Sequence, residues 1–132
     1  MPLGGWLAVA DTVVWAVKPQ FFAAAAAPCA PFVAAALQVS VMAGIRSEAL
    51  VRASGSARVV RAMPNTPALI GRGIAGLFAR GAVSTAERAE VEALFAPTGS
   101  TLWVANETDL DAVTAVSGSG PAYVFYFIEA MM

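Results

Sequence analysis

Four short stretches of the chain could do chemistry, and none contains a conventional acid, base or nucleophile pair. Ala16-Val17-Lys18-Pro19, Met42-Ala43-Gly44 and Met63-Pro64-Asn65-Thr66 each close a short apolar run with glycine or proline. Glycine lets backbone approach a ligand, and proline stiffens a loop that presents one. Lys18 is the only lysine of the chain. Read alone it is a solvated loop residue; read with the other two run ends it belongs to a shared ligand site. The Pro64-Asn65-Thr66-Pro67 loop, in isolation, reads as a turn between two elements. The fourth stretch, Ser117-Gly118-Ser119-Gly120-Pro121, offers hydroxyls and freed backbone ahead of a proline that opens a helix. Free N–H groups converging there would suit a carboxylate or phosphate. The bland alternative is a helix break with a serine cap.

Composition removes other chemistries. Histidine is absent and Cys29 is the only cysteine, so a disulfide within the chain, a Cys/His metal site and a Ser-His or Cys-His nucleophile pair are all excluded. No residue is assigned a catalytic proton and no metal is expected. Eight basic residues against nine acidic ones leave a net charge of −1, which gives no field to attract nucleic acid or an anionic membrane. The chain is 58 % hydrophobic, but 30 of its 132 residues are alanine, so the excess is compositional bias. Residues 19 to 45 carry no charge, yet Pro28 and Pro31 interrupt them, which argues against a membrane helix. MPLGGWLAVAD lacks the basic start of a secretory signal. The expectation is a cytoplasmic, soluble protein without nucleic-acid or membrane partners.

Positioning those stretches requires elements that end where they begin. The runs VVWAV (13–17), QVSVM (38–42) and RVVRAM (58–63) read as strands. An Ala-rich helix, a turn around Pro28 to Pro31, and a helix over RSEALVRAS (46–54) separate them. Near-continuously apolar strands alternating with helices predict a parallel sheet covered on both faces, hence a doubly wound α/β fold. In such sheets ligands bind outside the carboxyl ends of the strands, where three of the four stretches fall. GIAGLFA (73–79) and TLWVA (101–105) read as further strands around a helix opened by the capping box Ser84-Thr85-Ala86-Glu87. Asn106 is expected to cap the next helix, with Glu107, Asp109 and Asp111 at its positive end. That helix stops at Gly118, and Pro121 restarts it as PAYVFYFIEAMM, apolar on almost every face; it demands burial by a partner subunit or by further chain. The literal Gly71-x-Gly73-x-x-Gly76 is rejected as a dinucleotide fingerprint, because strand follows it where a helix should open.

Taken together, AVKPQ (16–20), SVMAG (40–44), RAMPNTPALIGRGIAGLFA (61–79) and DAVTAVSGSGPAYVFYFIEAM (111–131) resemble, in order and spacing, pyrroline-5-carboxylate reductase. The resemblance runs from about Ala10 to the end. It implies reduction of 1-pyrroline-5-carboxylate to L-proline, the last step of proline biosynthesis, with NADPH or NADH. Ala16, Val17, Lys18, Pro19, Met42, Ala43 and Gly44 match cofactor-lining segments, and Met63, Pro64, Asn65 and Thr66 match the loop beside the nicotinamide. Ser117, Gly118, Ser119, Gly120 and Pro121 match the break near the substrate. It further implies a partial Rossmann-like domain over 1–105, the start of an all-α dimerisation domain over 106–132, and a homodimer or higher oligomer.

The resemblance places the chain in the middle of that enzyme. The Gly-rich phosphate-binding turn is expected before Asp11 and further dimerisation helices after Met132, so turnover by this stretch alone is not expected. Met42 stands where a smaller residue is expected, narrowing the cofactor wall. Two rivals are a non-catalytic fragment and another Rossmann-type oxidoreductase of the β-hydroxyacid dehydrogenase kind. The latter is expected to carry a catalytic lysine on a helix, whereas Lys18 follows a strand.

Overall fold

A computed structural model describes residues 3–132; Met1 and Pro2, the first residues of the stretch read as lacking a secretory signal, lie outside it. After a short helix α1 (Leu3–Leu7), the chain builds a five-stranded sheet in sequential order. The strands are β1 (Thr12–Trp15), β2 (Leu37–Ser40), β3 (Val59–Met63), β4 (Gly73–Ala79) and β5 (Gly99–Trp103). β1, β2 and β3 run parallel, as the alternation of strand and helix requires. β4 runs antiparallel to β3, and β5 parallel to β4, which corrects the all-parallel expectation. The reason is the link: residues 64 to 72, with one 3-10 stretch (Thr66–Ile70), are too few to cross the sheet and return parallel.

Helices cover both faces. On one lie α2 (Phe22–Ala26), α3 (Ala30–Val33) and α4 (Ser47–Ser54), which bury Phe22, Ala26, Val33 and Leu50 against Trp15, Met42 and Val59. Trp15 meets Phe22 edge to face at 5.2 Å. Its Nε1 donates to Gln38 Oε1 at 2.9 Å, and Gln38 Nε2 donates to the carbonyls of Val33 and Ala36, so the buried amide is fully used. The other face packs Leu37, Val39, Val60, Ala62, Ala75 and Leu77 under α5 (Thr85–Phe95). α5 opens with the expected capping box: Ser84 Oγ accepts from the Glu87 N–H, and Glu87 Oε2 accepts from the Ser84 N–H.

The Ala-rich segment differs from its reading. Pro28 ends α2, but Pro31 sits in the first turn of a second short helix, α3, where its missing N–H costs nothing. Beyond β5, α6 (Asp109–Val113) runs through a π turn (Thr114–Gly118) into α7 (Gly120–Met131). Asn106 does not cap α6; Thr108 occupies that position, and Asn106 instead donates to Asp109 through its backbone and amide nitrogens. Nothing in α7 is buried: Tyr123, Phe125, Tyr126, Phe127 and Met131 are each more than 60 % exposed. Among the described residues no helix is long and apolar enough to cross a membrane.

Candidate functional site

Because β1, β2 and β3 are neighbours and parallel, the loops after them lie side by side along one sheet edge. β1 ends two residues earlier than expected, leaving all of Ala16–Pro19 as exposed loop; Lys18 is extended, and Pro19 opens a 3-10 turn. β2 ends at Ser40, whose hydroxyl accepts from the Met42 N–H at 3.2 Å and bends the chain off the strand. Met42 itself is 3 % exposed and packs in the core with Trp15 and Leu50, so its bulk does not narrow a cofactor wall. Ala43 and Gly44 are exposed. Gly44 has φ +74°, which favours glycine, and a side chain there would meet no other atom within 4 Å. The edge above β2 is therefore bare backbone facing open space.

The loop after β3 is rigid for identifiable reasons. Asn65 Oδ1 accepts from the Ile74 N–H at 3.0 Å, tying the loop to the start of β4. Pro67 stands in the first turn of the 3-10 stretch, and Gly71 ends it in the left-handed region at φ +68°. Of the glycines of the rejected fingerprint, Gly71 serves this left-handed turn, and Gly73 and Gly76 serve close packing. A Cβ on Gly73 would come within 2.8 Å of the Ala68 nitrogen and the Thr98 oxygen, and one on Gly76 within 2.8 Å of Val113 Cγ1.

Ser117 and Gly118 end the π turn and Gly120 and Pro121 open α7, so the stretch continues a helical path and the Ser119 N–H, expected to be free, is used within it. The Ser119 N–H donates to the Thr114 carbonyl, and those of Ala122 and Tyr123 donate to the Ser119 carbonyl. Ser117 Oγ donates to the Val113 carbonyl. The Ser119 hydroxyl makes no cap, so the serine-cap alternative fails as well. Gly120 faces open space. π bulges recur where a helix is distorted for function.

The structure brings the β3 loop and this bulge together twice. A Cβ on Gly118 would stand 3.9 Å from Met63 Sδ, and Thr66 and Pro67 line an apolar groove with Leu69, Ile70, Pro121 and Phe125. Ala16–Pro19 and Met42–Gly44 flank that junction on the two neighbouring strand ends.

One cluster escaped the reading. Arg61, 3 % exposed within β3, donates through Nη1 to Glu107 Oε1 at 2.9 Å. The same carboxylate accepts from the Ser47 N–H at 2.6 Å and the Ser47 hydroxyl at 2.7 Å. Glu107 therefore caps α4, 60 residues away in sequence, as Arg46 does not. Burial pushes the Glu107 pKa up, but the Ser47 bonds and the Arg61 charge outweigh it and hold the carboxyl below the usual 4.5. The available signal was a charge inside the apolar run RVVRAM; a buried polar residue is what needs a partner.

A mixed sheet with helices on both faces, and loops gathered at the carboxyl ends of its parallel strands, defines a Rossmann-like α/β unit. Relatives make the class specific. The pyrroline-5-carboxylate reductase dimerisation family matches residues 107–132. The pyrroline-5-carboxylate reductase of Pseudomonas aeruginosa is 46 % identical over 127 residues, covering 95 % of this chain and 46 % of that one. That of Haemophilus influenzae is also 46 % identical, covering 92 % and 46 %. Among solved structures, the enzyme from Coxiella burnetii superposes with a TM-score of 0.88 at 33 % identity, covering 96 % of this chain and 48 % of that one. The Plasmodium falciparum enzyme with NADP bound gives 0.81 at 34 % identity, covering 89 % and 47 %. A prephenate dehydrogenase from A. aeolicus, at 15 % identity and a TM-score of 0.60, shares the fold alone. Over the part it spans, the chain is similar to pyrroline-5-carboxylate reductases. It spans about half the length of the curated relatives it matches.

Proposed function

We propose that the chain supplies the nicotinamide side and part of the substrate side of an NAD(P)H-dependent pyrroline-5-carboxylate reductase, which reduces 1-pyrroline-5-carboxylate to L-proline. The observation that carries this is the junction of Met63 with Gly118, supported by the groove that Thr66 shares with Pro121. It joins the rigid strand-end loop to the helix break in one place. The strand ends fit a dinucleotide: exposed backbone at Ala16–Pro19 and Ala43–Gly44, and unfilled space over Gly44. When bound, the reduced nicotinamide supplies a hydride to the imine carbon.

The chain's own residues orient and exclude. Met63, Pro64, Asn65 and Thr66 form a wall that cannot swing away, because Asn65 is bonded to β4. Ser119, with an uncommitted hydroxyl beside the open side of Gly120, is assigned to the substrate carboxylate, within the stretch Ser117–Pro121. Lys18 adds a positive charge for ribose or phosphate oxygens. A substrate that arrives with its ring nitrogen protonated needs no side-chain acid, in keeping with a sequence free of histidine.

Residues 1–105 serve in this reading as the dinucleotide-binding unit and 106–132 as the opening of a helical dimerisation domain. The apolar surface of α7 is assigned to a homodimer. A cytoplasmic setting is part of the same proposal. The test installs this sequence in place of the matching stretch of the Pseudomonas aeruginosa relative and follows NADPH oxidation with 1-pyrroline-5-carboxylate. Substrate-dependent oxidation is expected; a folded, dimeric chimaera without it refutes the reading.

A further inference from the structure

The sheet and the C-terminal helical segment touch through few groups near the candidate site. Gly76 admits Val113 and Leu110 against β4, a Cβ on Gly118 would lie 3.9 Å from Met63 Sδ, and Glu107 enters the protein beside Arg61. The last contact is polar and reaches the buried Arg61, whereas the other polar tether of the segment, Arg46–Asp111, is exposed. Arg61 projects from β3 two residues before Met63, and Glu107 stands two residues before α6, which leads into the bulge. We propose that Arg61, Glu107 and Ser47 form a buried lock, a set of positioning residues that holds the π bulge at Ser117–Gly118 against the loop that begins at Met63.

The geometry argues for a lock over an incidental ion pair. Glu107 receives three bonds from two elements, through Arg61 on β3 and both Ser47 groups at the start of α4. The Ser47 N–H lies in the first turn of that helix, where it has no intrahelical acceptor, a place that favours a carboxylate. Arg80, after β4, donates to the Ser47 hydroxyl and to Glu48 at 3.2 Å each, so a third element braces the seat. The charged groups around Glu107 are therefore Arg61, Arg80 and Glu48, with the Arg46–Asp111 pair at 2.8 Å beside them. Arg61 Nε is buried without a partner, so the arginine has no second acceptor to fall back on if Glu107 leaves. Arg61 is the buried member of the pair, so losing the half-buried Glu107 leaves its charge uncompensated, and the segment that can relieve it by moving is the one carrying Glu107.

The lock itself is tested without assuming an activity. Hydrogen exchange on the 132-residue chain should show amides of residues 114–123 exchanging about a hundredfold faster in Glu107→Gln than in the unsubstituted chain, with β2 and β3 still protected. Ser47→Ala, which spares the ion pair, should shift the same amides in the same direction by about tenfold. If Glu107→Gln does not fold, the unsubstituted chain still decides. Its 114–123 amides should lose protection before β2 and β3 as pH falls below 4.5 and Glu107 is protonated. Unchanged exchange over 114–123, or loss only in step with the strands, overturns the proposal.

The consequence for catalysis rests on the reduction reading above. In the chimaera, Glu107→Gln should raise the KM for the imine about tenfold or more while the cofactor Kd stays within about twofold. An unchanged KM overturns the positioning role. If the unsubstituted chimaera reduces no imine, the reduction reading falls, and the lock is judged by exchange alone.

Discussion

The glycines of Gly71-Arg72-Gly73-Ile74-Ala75-Gly76 separate a phosphate-binding fingerprint from a packing motif, and alanine substitution distinguishes the two. At Gly76 the new methyl would meet Val113 Cγ1 at 2.8 Å, Val113 Cγ2 at 3.1 Å and Leu110 Cδ2 at 3.2 Å, all side-chain atoms. Rotamer changes and a small lift of α6 can absorb part of this, so Gly76→Ala should cost about 1–3 kcal/mol, the usual penalty of overpacking. At Gly73 the obstacles are the backbone nitrogen of Ala68 and the backbone oxygen of Thr98, both at 2.8 Å. Backbone cannot rotate aside, and Gly73→Ala should reach the top of that range or exceed it. Gly99→Ala should be worst, since its φ is +132° and its Cβ would lie 2.1 Å from the Gly73 oxygen.

For a domain of this size about 1 kcal/mol moves the melting temperature by roughly 3–5 °C. The order Gly76→Ala, Gly73→Ala, Gly99→Ala should therefore be visible in thermal melts or denaturant midpoints at low protein concentration. Gly76→Ala carries a second signature, because lifting α6 moves Gly118 off Met63. In the chimaera it should raise the imine KM and leave NADPH affinity nearly unchanged. The opposite pattern, unchanged stability with NADPH binding lost at Gly73 and Gly76, would refute the packing argument and restore the fingerprint.

Further outcomes follow from other contacts. Asn65→Ala removes the acceptor of the Ile74 N–H and should cost about 1 kcal/mol, with faster exchange at that one amide, provided the bond holds the loop. Acid should destabilise the chain with a definite sign: Glu87, bonded by Ser84 and Arg58, and Glu107 both have lowered folded pKa values. The stability they contribute is present above 4.5 and lost as pH falls through the lowered values. Melts from pH 6 to 3 should show it, and the slope should flatten in Glu107→Gln. The exposed face of α7 should drive self-association; light scattering should report species above the monomer, and Phe125→Glu with Tyr126→Glu should shift them towards it.

What was legible in the sequence tracks what is local. Three strand ends with glycine or proline were enough to find the sheet edge, because parallel neighbours put their carboxyl ends together whatever their side chains do. The capping box at Ser84 was legible for the same reason: its partners are three residues apart. The direction of β4 was available in principle from the short 64–72 link but was outweighed by the parallel pattern of the first three strands. Met42 does not narrow a cofactor wall because the bend after Ser40 leaves its side chain buried with Trp15 and Leu50, a placement that residue size alone does not reveal. Glu107 was read through its neighbours in sequence as a helix-end carboxylate, which is sound for α6 in isolation. Its actual helix is α4, on the far side of β3 and β4 in chain order. No periodicity links residues 47, 61 and 107. The link exists because burying Arg61 costs more than exposing it unless a carboxylate comes to it, and the sheet leaves one direction from which it can come. An unexplained charge in a buried strand is thus a demand for a partner of opposite sign, and in this fold that demand is met by the segment that leads into α6 and the π turn.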